Sequence, residues 1–146
     1  MRLKLIWAFA ALAALSPSAA HGEPSQHKLS VTFNYDFTNA KGCKNKETGR
    51  CVKRFIIYDI TDPNNPVRLF SIGVPANVKK IIYQIKGSSP TLTLNDGMRT
   101  FAATAQWADG TESDKNACKV TVSVGAQPHV SVNMSNGIQQ QPAKLF

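Results

Sequence analysis

A strict alternation of apolar and polar residues begins at Leu29 and continues to Phe37. One parity holds the apolar and aromatic side chains, and the other holds the polar ones: Leu29, Val31, Phe33, Tyr35 and Phe37 against Ser30, Thr32, Asn34 and Asp36. A period of two places all the apolar side chains on one face of an extended strand, whereas a helix would not keep these aromatics on one side. The pattern therefore predicts a sheet with one buried face.

Similar short apolar runs recur along the chain and are separated by turn formers. They predict further strands, in chain order Val52–Ile60, Val67–Ile72, Lys80–Ile85, Thr91–Leu94, Arg99–Trp107, Ala117–Val124 and a short Val130–Met134. Within the predicted strand Val52–Ile60, Phe55, Ile56 and Ile57 are consecutive apolar residues, which indicates a central strand covered on both faces. Clusters such as Asn95–Gly97 and Gly87–Pro90 are typical of turns.

No convincing helix and no repeat follows the first 20 residues. Strands at this spacing predict an all-β fold, an antiparallel β-sandwich of about seven strands. We expect the sandwich to span residues 28–125, after a flexible lead-in at residues 21–27. Residues 126–146 form a C-terminal extension in this reading, partly disordered, with one further strand at residues 130–134.

The first 20 residues have the layout of a secretory signal peptide. Arg2 and Lys4 precede the uncharged apolar run Leu5–Leu15, and small residues end the segment at Ala20. The run is about half the length of a membrane-spanning helix, and no other stretch is long enough to span, so we expect no transmembrane segment in the mature chain. The short Ala-rich signal is typical of bacteria, which predicts a secreted or periplasmic protein with a formal charge of +6, from +8 less the two lost cations.

Part of the chain resembles a fibronectin type III domain, a member of the immunoglobulin-like sandwiches. The resemblance lies in four motifs that look like that family's E–F corner, F strand, F–G loop and G strand. In that order they are Leu94–Gly97, Phe101-x-Ala103-x-Ala105, Gly110-x-x-Ser113 and Val120-x-Val122. From Lys28 to Leu94 only the strand pattern matches. Arg99 stands near the place of the family's corner tyrosine. The resemblance implies a binding or spacer module, although a fold alone does not fix a function.

Three cysteines are present, and export would allow disulfides. Cys43 and Cys51 flank seven residues and lie beside Gly42 and Gly49, so the chain can double back and we expect them to bridge. Cys118 shares the parity of the inward valines of its strand. It is either a buried free thiol or the partner of Cys43 or Cys51.

Basic residues are concentrated around that predicted disulfide. Six of them lie within 14 residues that hold a single acid, Glu47: Lys41, Lys44, Lys46, Arg50, Lys53 and Arg54. Closing the loop would present these charges on one rigid knob, which attracts anionic partners. We take Lys44, Lys46, Arg50, Lys53 and Arg54 as the candidate binding residues. No aromatics interleave with them, so nucleic acid is not the expected partner.

Two other candidate sites are weaker. Cleavage after Ala20 would leave His21 as the amino terminus, and an N-terminal histidine can chelate copper together with a second histidine, here His27 or His129. The acids Asp109, Glu112 and Asp114 share one predicted loop, which could hold calcium but lacks the regular acid spacing of known calcium loops.

No nucleophile has a plausible activating base in the sequence. We therefore expect a non-enzymatic module without a cofactor, which presents sandwich-end loops to a protein or an acidic polysaccharide. The basic loop is the first candidate surface and Asp109–Asp114 the second. The alternatives are a copper-binding sandwich and a structural subunit whose Val130–Met134 segment pairs with a neighbour's edge strand.

Overall fold

The computed structural model describes residues 23–36, 52–74 and 82–138. These residues form two facing β-sheets and contain no helix, so the predicted all-β sandwich is confirmed. Eight strands are present in the described part: β1 (Pro24–Asp36), β2 (Val52–Asp59), β3 (Val67–Gly73), β4 (Ile82–Ser88), β5 (Leu92–Asn95), β6 (Gly97–Trp107), β7 (Lys119–Val124) and β8 (His129–Ile138).

The first sheet is built on both edges of β1. Along one edge, β5 pairs with residues 24–27 and β4 with residues 30–36, both antiparallel. Ser89 lies between these two pairings, where its hydroxyl accepts a hydrogen bond from the Leu29 amide at 2.8 Å and its own amide donates to the Leu29 carbonyl. Along the other edge, β8 pairs with β1 in parallel, which makes this sheet mixed.

The second sheet has the strand order β3-β2-β6-β7 and is antiparallel throughout. The chain passes from the first sheet to the second at Asp96, between β5 and β6. Gly97 follows with a φ of 119°, a left-handed conformation that a residue with a Cβ adopts only with strain. A glycine at this point therefore permits the abrupt change of sheet.

The core lies between the inner faces of the two sheets. Phe55 of the second sheet contacts Phe33 and Tyr35 of the first sheet edge to face, with ring centroids 5.2 and 5.1 Å apart. A smaller buried cluster lies on the outer face of the second sheet: Ile56, Tyr58, Ile60 and Ala102. Phe55, Ile56 and Ile57 are all fully buried, as the consecutive apolar run predicts for a central strand.

The sandwich is longer at both ends than the sequence predicts. β1 begins at Pro24, inside the predicted flexible lead-in, because His27 is buried and hydrogen-bonded and so extends the inward row of Leu29 and Val31. The strand predicted at residues 130–134, beyond the predicted boundary at residue 125, is present and packs into the same sandwich. β8 runs from His129 to Ile138, and Val130, Val132 and Met134 belong to the core.

The strand β4 continues through Gly87 and Ser88, where the sequence predicts a break. Position 87 is a glycine because of packing and not because of a turn, since a Cβ there would collide with the Ile72 side chain of the opposite sheet. Gly87 faces inward beside Val31, its partner on β1. The glycine thus provides room for Ile72, and the chain does not turn until Ser89–Thr91.

A largely buried ion pair lies at the C-terminal end of β2. The Arg99 Nε and Nη2 atoms lie 3.0 and 2.5 Å from Asp59 Oδ2, and Asp59 is 4% exposed. Thr61 donates its amide and hydroxyl hydrogens to Asp59 Oδ1. Arg99, which stands near the tyrosine position of the resembled family, therefore binds the end of the neighbouring strand through charge.

Candidate functional site

The predicted basic loop connects the two strands that lead to one end of the sandwich. β1 ends at Asp36 and β2 begins at Val52, and the contact of Phe55 with Tyr35 places both at the same end. β6 also ends there, since Val52 pairs with Trp107. We call this the loop end. Four of the predicted residues, Cys43, Lys44, Lys46 and Arg50, lie outside the described residues, as does Cys51, so the disulfide remains a prediction.

Lys53 and Arg54 are the two predicted binding residues that the structure describes. Lys53 is exposed at an irregularity in the pairing between β2 and β6. Arg54 is half-buried and pairs with Gln106, which shares its face of the sheet. This face is the outer one, because the inward residues Phe55 and Ala105 form the next pair. Two of the predicted cations therefore lie at the loop end, next to the outer face of the second sheet, and their role in binding stays a prediction.

The acids of the second candidate loop, at residues 108–118, do not converge on one point. Asp109 Oδ1 accepts hydrogen bonds from the Thr111 amide and hydroxyl, and Asp114 Oδ1 accepts one from the Asn116 amide. Glu112 instead forms an isolated antiparallel β-bridge with Gln106 of β6, which places it next to the sheet. No group of three metal-binding side chains occurs among the described residues, so this loop has no calcium cluster there.

Glu112 joins a polar cluster on the outer face of the second sheet. The Tyr58 hydroxyl lies 3.0 and 2.8 Å from its two carboxylate oxygens, and the Thr104 hydroxyl donates to Oε2 at 3.0 Å. Lys115 Nζ lies 4.5 Å from the centroid of the Tyr58 ring, within reach of a cation–π interaction. Burial, followed by the hydrogen bond and charge of Glu112, raises the pKa of Tyr58 to about 12, while the charge of Arg68 acts in the opposite direction.

A second polar cluster lies at the opposite end of the sandwich. His27 is 1% exposed; its Nδ1 lies 2.6 Å from the Gln127 carbonyl oxygen and its Nε2 lies 2.6 Å from Ser25 Oγ. Ser25 Oγ donates its hydrogen to Asp96 Oδ1 at 2.6 Å. Sequence reasoning missed this cluster because Ser25 and Asp96 are 71 residues apart.

The hydrogen positions in this cluster limit what it can do. A carbonyl oxygen only accepts, so Nδ1 of His27 carries a hydrogen, whereas the direction of the bond between Nε2 and Ser25 Oγ depends on the tautomer. In a Ser–His–Asp triad the carboxylate holds Nδ1 of the histidine, but here the Gln127 carbonyl holds Nδ1 and Asp96 contacts Ser25. A copper ligand needs a free nitrogen lone pair, and both ring nitrogens of His27 lie within hydrogen-bond distance of protein oxygens.

The other histidines and the third cysteine complete the predicted candidates. His129 pairs with Lys28 and is exposed, so it points to the opposite face of the first sheet from His27; His21 lies outside the described residues. Cys118 is a free thiol, buried as its parity predicts, with Sγ 3.6 Å from Met134 Sδ. Burial raises the pKa of the Cys118 thiol to about 11, which keeps it protonated and unreactive near neutral pH.

Comparison with protein families, with curated proteins and with solved structures gave no match. A search of the described residues for an apolar helix of membrane-spanning length found none.

Proposed function

We propose that this protein is an exported, non-enzymatic binding module of the fibronectin type III-like class, which binds an acidic partner at its loop end. In this proposal residues 1–20 direct export to the periplasm or the cell exterior and are removed. The partner is an acidic polysaccharide or an acidic face of a protein. It contacts the positive side chains of the basic segment that joins β1 to β2.

The order of strands supports the resemblance to the fibronectin type III class. In immunoglobulin-like sandwiches the C, F and G strands share one sheet, as β2, β6 and β7 do here. The crossing from β5 to β6 at Asp96 has the place of the E–F corner. The first sheet departs from the antiparallel pattern of that class, since β8 pairs with β1 in parallel.

The observation that carries the proposal is the concentration of positive charge at the loop end. Lys53 is exposed and Arg54 half-exposed, and neither takes part in a salt bridge within the described ranges. They directly follow a segment that adds Lys41, Lys44, Lys46 and Arg50 against one acid. Several cations concentrated at one end of a small domain give a local positive potential that attracts anions.

The arrangement of the Ser25–His27–Asp96 cluster favours a binding module over a hydrolase. The Gln127 carbonyl rather than a carboxylate holds His27 Nδ1, and Asp96 contacts Ser25, so the order of groups differs from that of a hydrolase triad. The cluster also connects β1 to the segment before β8, which gives it a structural role. We do not develop the copper alternative or the edge-pairing subunit: both nitrogens of His27 contact protein oxygens, and Val130–Met134 already pairs along one edge with β1 of its own chain.

The experiment is retention of the processed protein on immobilised heparin, a sulfated polysaccharide. Lys53→Glu/Arg54→Glu reverses two positive charges at the loop end. Lys28→Glu/Lys86→Glu, at two exposed positions of the first sheet, is the matched control with the same change in net charge. We expect elution at clearly lower salt for the loop-end variant than for the control. Equal retention of the two variants would overturn the proposal.

A triple variant extends the test into the predicted loop. Lys44→Glu/Lys46→Glu/Arg50→Glu is expected to abolish retention at physiological ionic strength, because screening there reaches about 8 Å and close charge contacts dominate. Retention unchanged from the wild type would show that the loop is only a solvated segment. Thermal unfolding of every variant confirms that each one is folded.

A further inference from the structure

We infer that a row of residues across the outer face of the second sheet forms the binding track for a linear acidic polysaccharide. This inference rests on the proposed function and names the partner class and a second surface for it. The row consists of cross-strand partners on four adjacent strands: Arg68 on β3, Tyr58 on β2, Ala102 on β6 and Lys119 on β7.

The pairing register fixes the geometry of this track. Arg68 pairs with Tyr58, Tyr58 with Ala102, and Ala102 with Lys119, so the four residues share one face of the sheet. Strands lie about 4.8 Å apart, which separates the Cα atoms of Arg68 and Lys119 by about 14 Å. Lys115 reaches the middle of the row, with its Nζ over the Tyr58 ring. The track thus carries three cations in line across the strands.

These cations are not neutralised by the part of the protein that the structure describes. Its salt bridges involve none of Arg68, Lys115 and Lys119. Lys119 Nζ donates to the neutral Asn116 side chain at 3.2 Å, and Lys115 lies on the Tyr58 ring. Glu112, the acid of the polar cluster on this face, sets one negative charge against the three cations. The face therefore keeps a net positive charge.

The chemistry of the track favours a sugar polymer over other polyanions. Nucleic acid bases need exposed aromatic faces for stacking, but Tyr58 is only 9% exposed and is covered by Lys115. Membrane surfaces favour apolar side chains that can insert. The apolar residue of the row, Ala102, is fully buried, and Met98, an exposed apolar residue of the same face, lies four positions along β6 from the row. Beside the row, the Thr100 and Thr121 hydroxyls are joined at 2.8 Å on the same face, where they can exchange hydrogen bonds with sugar hydroxyls.

The test compares two matched pairs of substitutions in the full processed chain. Arg68→Gln/Lys119→Gln removes the two ends of the track and leaves Lys115 and Tyr58 in place. Lys28→Gln/Lys86→Gln removes the same charge from the first sheet. We expect the track variant to bind a heparin oligosaccharide about five- to tenfold more weakly in calorimetry, and the control to stay within about twofold of the wild type.

The outcomes separate this inference from the proposed function. If the track variant binds like the wild type while the Lys44, Lys46 and Arg50 variant does not bind, the track is overturned and the proposed function stands. If the wild-type protein does not bind heparin, both fail. The same variants are also titrated with single-stranded DNA and with vesicles rich in anionic phospholipid. If the track substitutions weaken binding to either of these as much as they weaken binding to heparin, the track is a general anion surface and the assignment to polysaccharide is wrong.

Discussion

The Nδ1 atom of His27 donates a hydrogen bond to the carbonyl oxygen of Gln127, over a distance of 2.6 Å. The two residues are 100 positions apart in the chain. Gln127 lies in the short connection that carries the chain from β7 to β8. A second bond follows directly, from the Lys28 amide to the Pro128 carbonyl at 2.8 Å. Together they fix the point at which the parallel pairing of β1 and β8 begins.

Replacing His27 with alanine should therefore destabilise the domain by about 2 kcal/mol, because it leaves the Gln127 carbonyl and Ser25 without their buried partner. Urea denaturation measures this loss. His129→Ala is the control, since His129 is exposed, and it should change stability by less than about 0.5 kcal/mol. Equal stability of the two variants would contradict the role assigned to His27.

Deleting the chain from Ala126 onwards should prevent cooperative folding. Val130, Val132 and Met134 leave the core in this variant, and β1 loses its partner along one edge. Circular dichroism during heating should show no sharp transition. A synthetic peptide of residues 126–138 added to the truncated chain should restore one. A truncated domain that unfolds like the wild type would mean that β8 is dispensable.

The phenol of Tyr58 should titrate about two pH units above an ordinary tyrosine, because its pKa is raised from 10.0 to about 12. Between pH 10 and about 12 the phenol of the unfolded chain loses its proton while that of the folded chain keeps it. The stability contributed by Tyr58 is therefore complete below pH 10 and falls as the pH rises towards 12. The difference in phenolate absorbance between wild type and Tyr58→Phe measures the titration. A midpoint near 10 would contradict the burial and the Glu112 bond.

Thiol counting tests the cysteine assignments. In the folded protein, Cys118 should not react with a thiol reagent at mildly alkaline pH, since burial raises its pKa to about 11. In denaturant without reductant, one thiol per chain should react if Cys43 and Cys51 are bridged. Three reactive thiols would contradict the predicted disulfide. Any one intramolecular bridge among three cysteines leaves one thiol, so peptide mapping must place the reacted thiol at Cys118. Label found at Cys43 or Cys51 instead would mean that Cys118 is bridged, in conflict with its position against Met134.

The sequence was sufficient for the elements whose signal is local. Alternation identified β1 and β6, and the apolar run Phe55–Ile57 identified a strand covered on both faces. Cys118 was correctly predicted to face inward from its parity alone. These properties depend on neighbours two residues apart in the chain, so a single sequence carries them.

Features that depend on distant partners could not be predicted in this way. Arg99 and Asp59 are 40 residues apart, and no local pattern marks them as an ion pair. Gly87 looks like a turn residue until Ile72 of the opposite sheet is seen against it. The parity of His27 does match Leu29 and Val31, so the alternation could have been extended to it. Its polar side chain instead suggested a lead-in.

The candidate site was predicted only in part, for the same reason. Lys53 and Arg54 follow from a count of basic residues along the chain. The row of Arg68, Tyr58 and Lys119 exists only through the pairing of four strands, and their separation in sequence hides it. Tertiary pairing is what converts scattered surface cations into a track.

The most direct test of the account is calorimetry of the processed protein with heparin at two salt concentrations. We predict binding at low ionic strength that is lost at about 1 M salt, where the screening length is only about 3 Å. Absence of binding at low ionic strength, or binding that salt does not weaken, would contradict it.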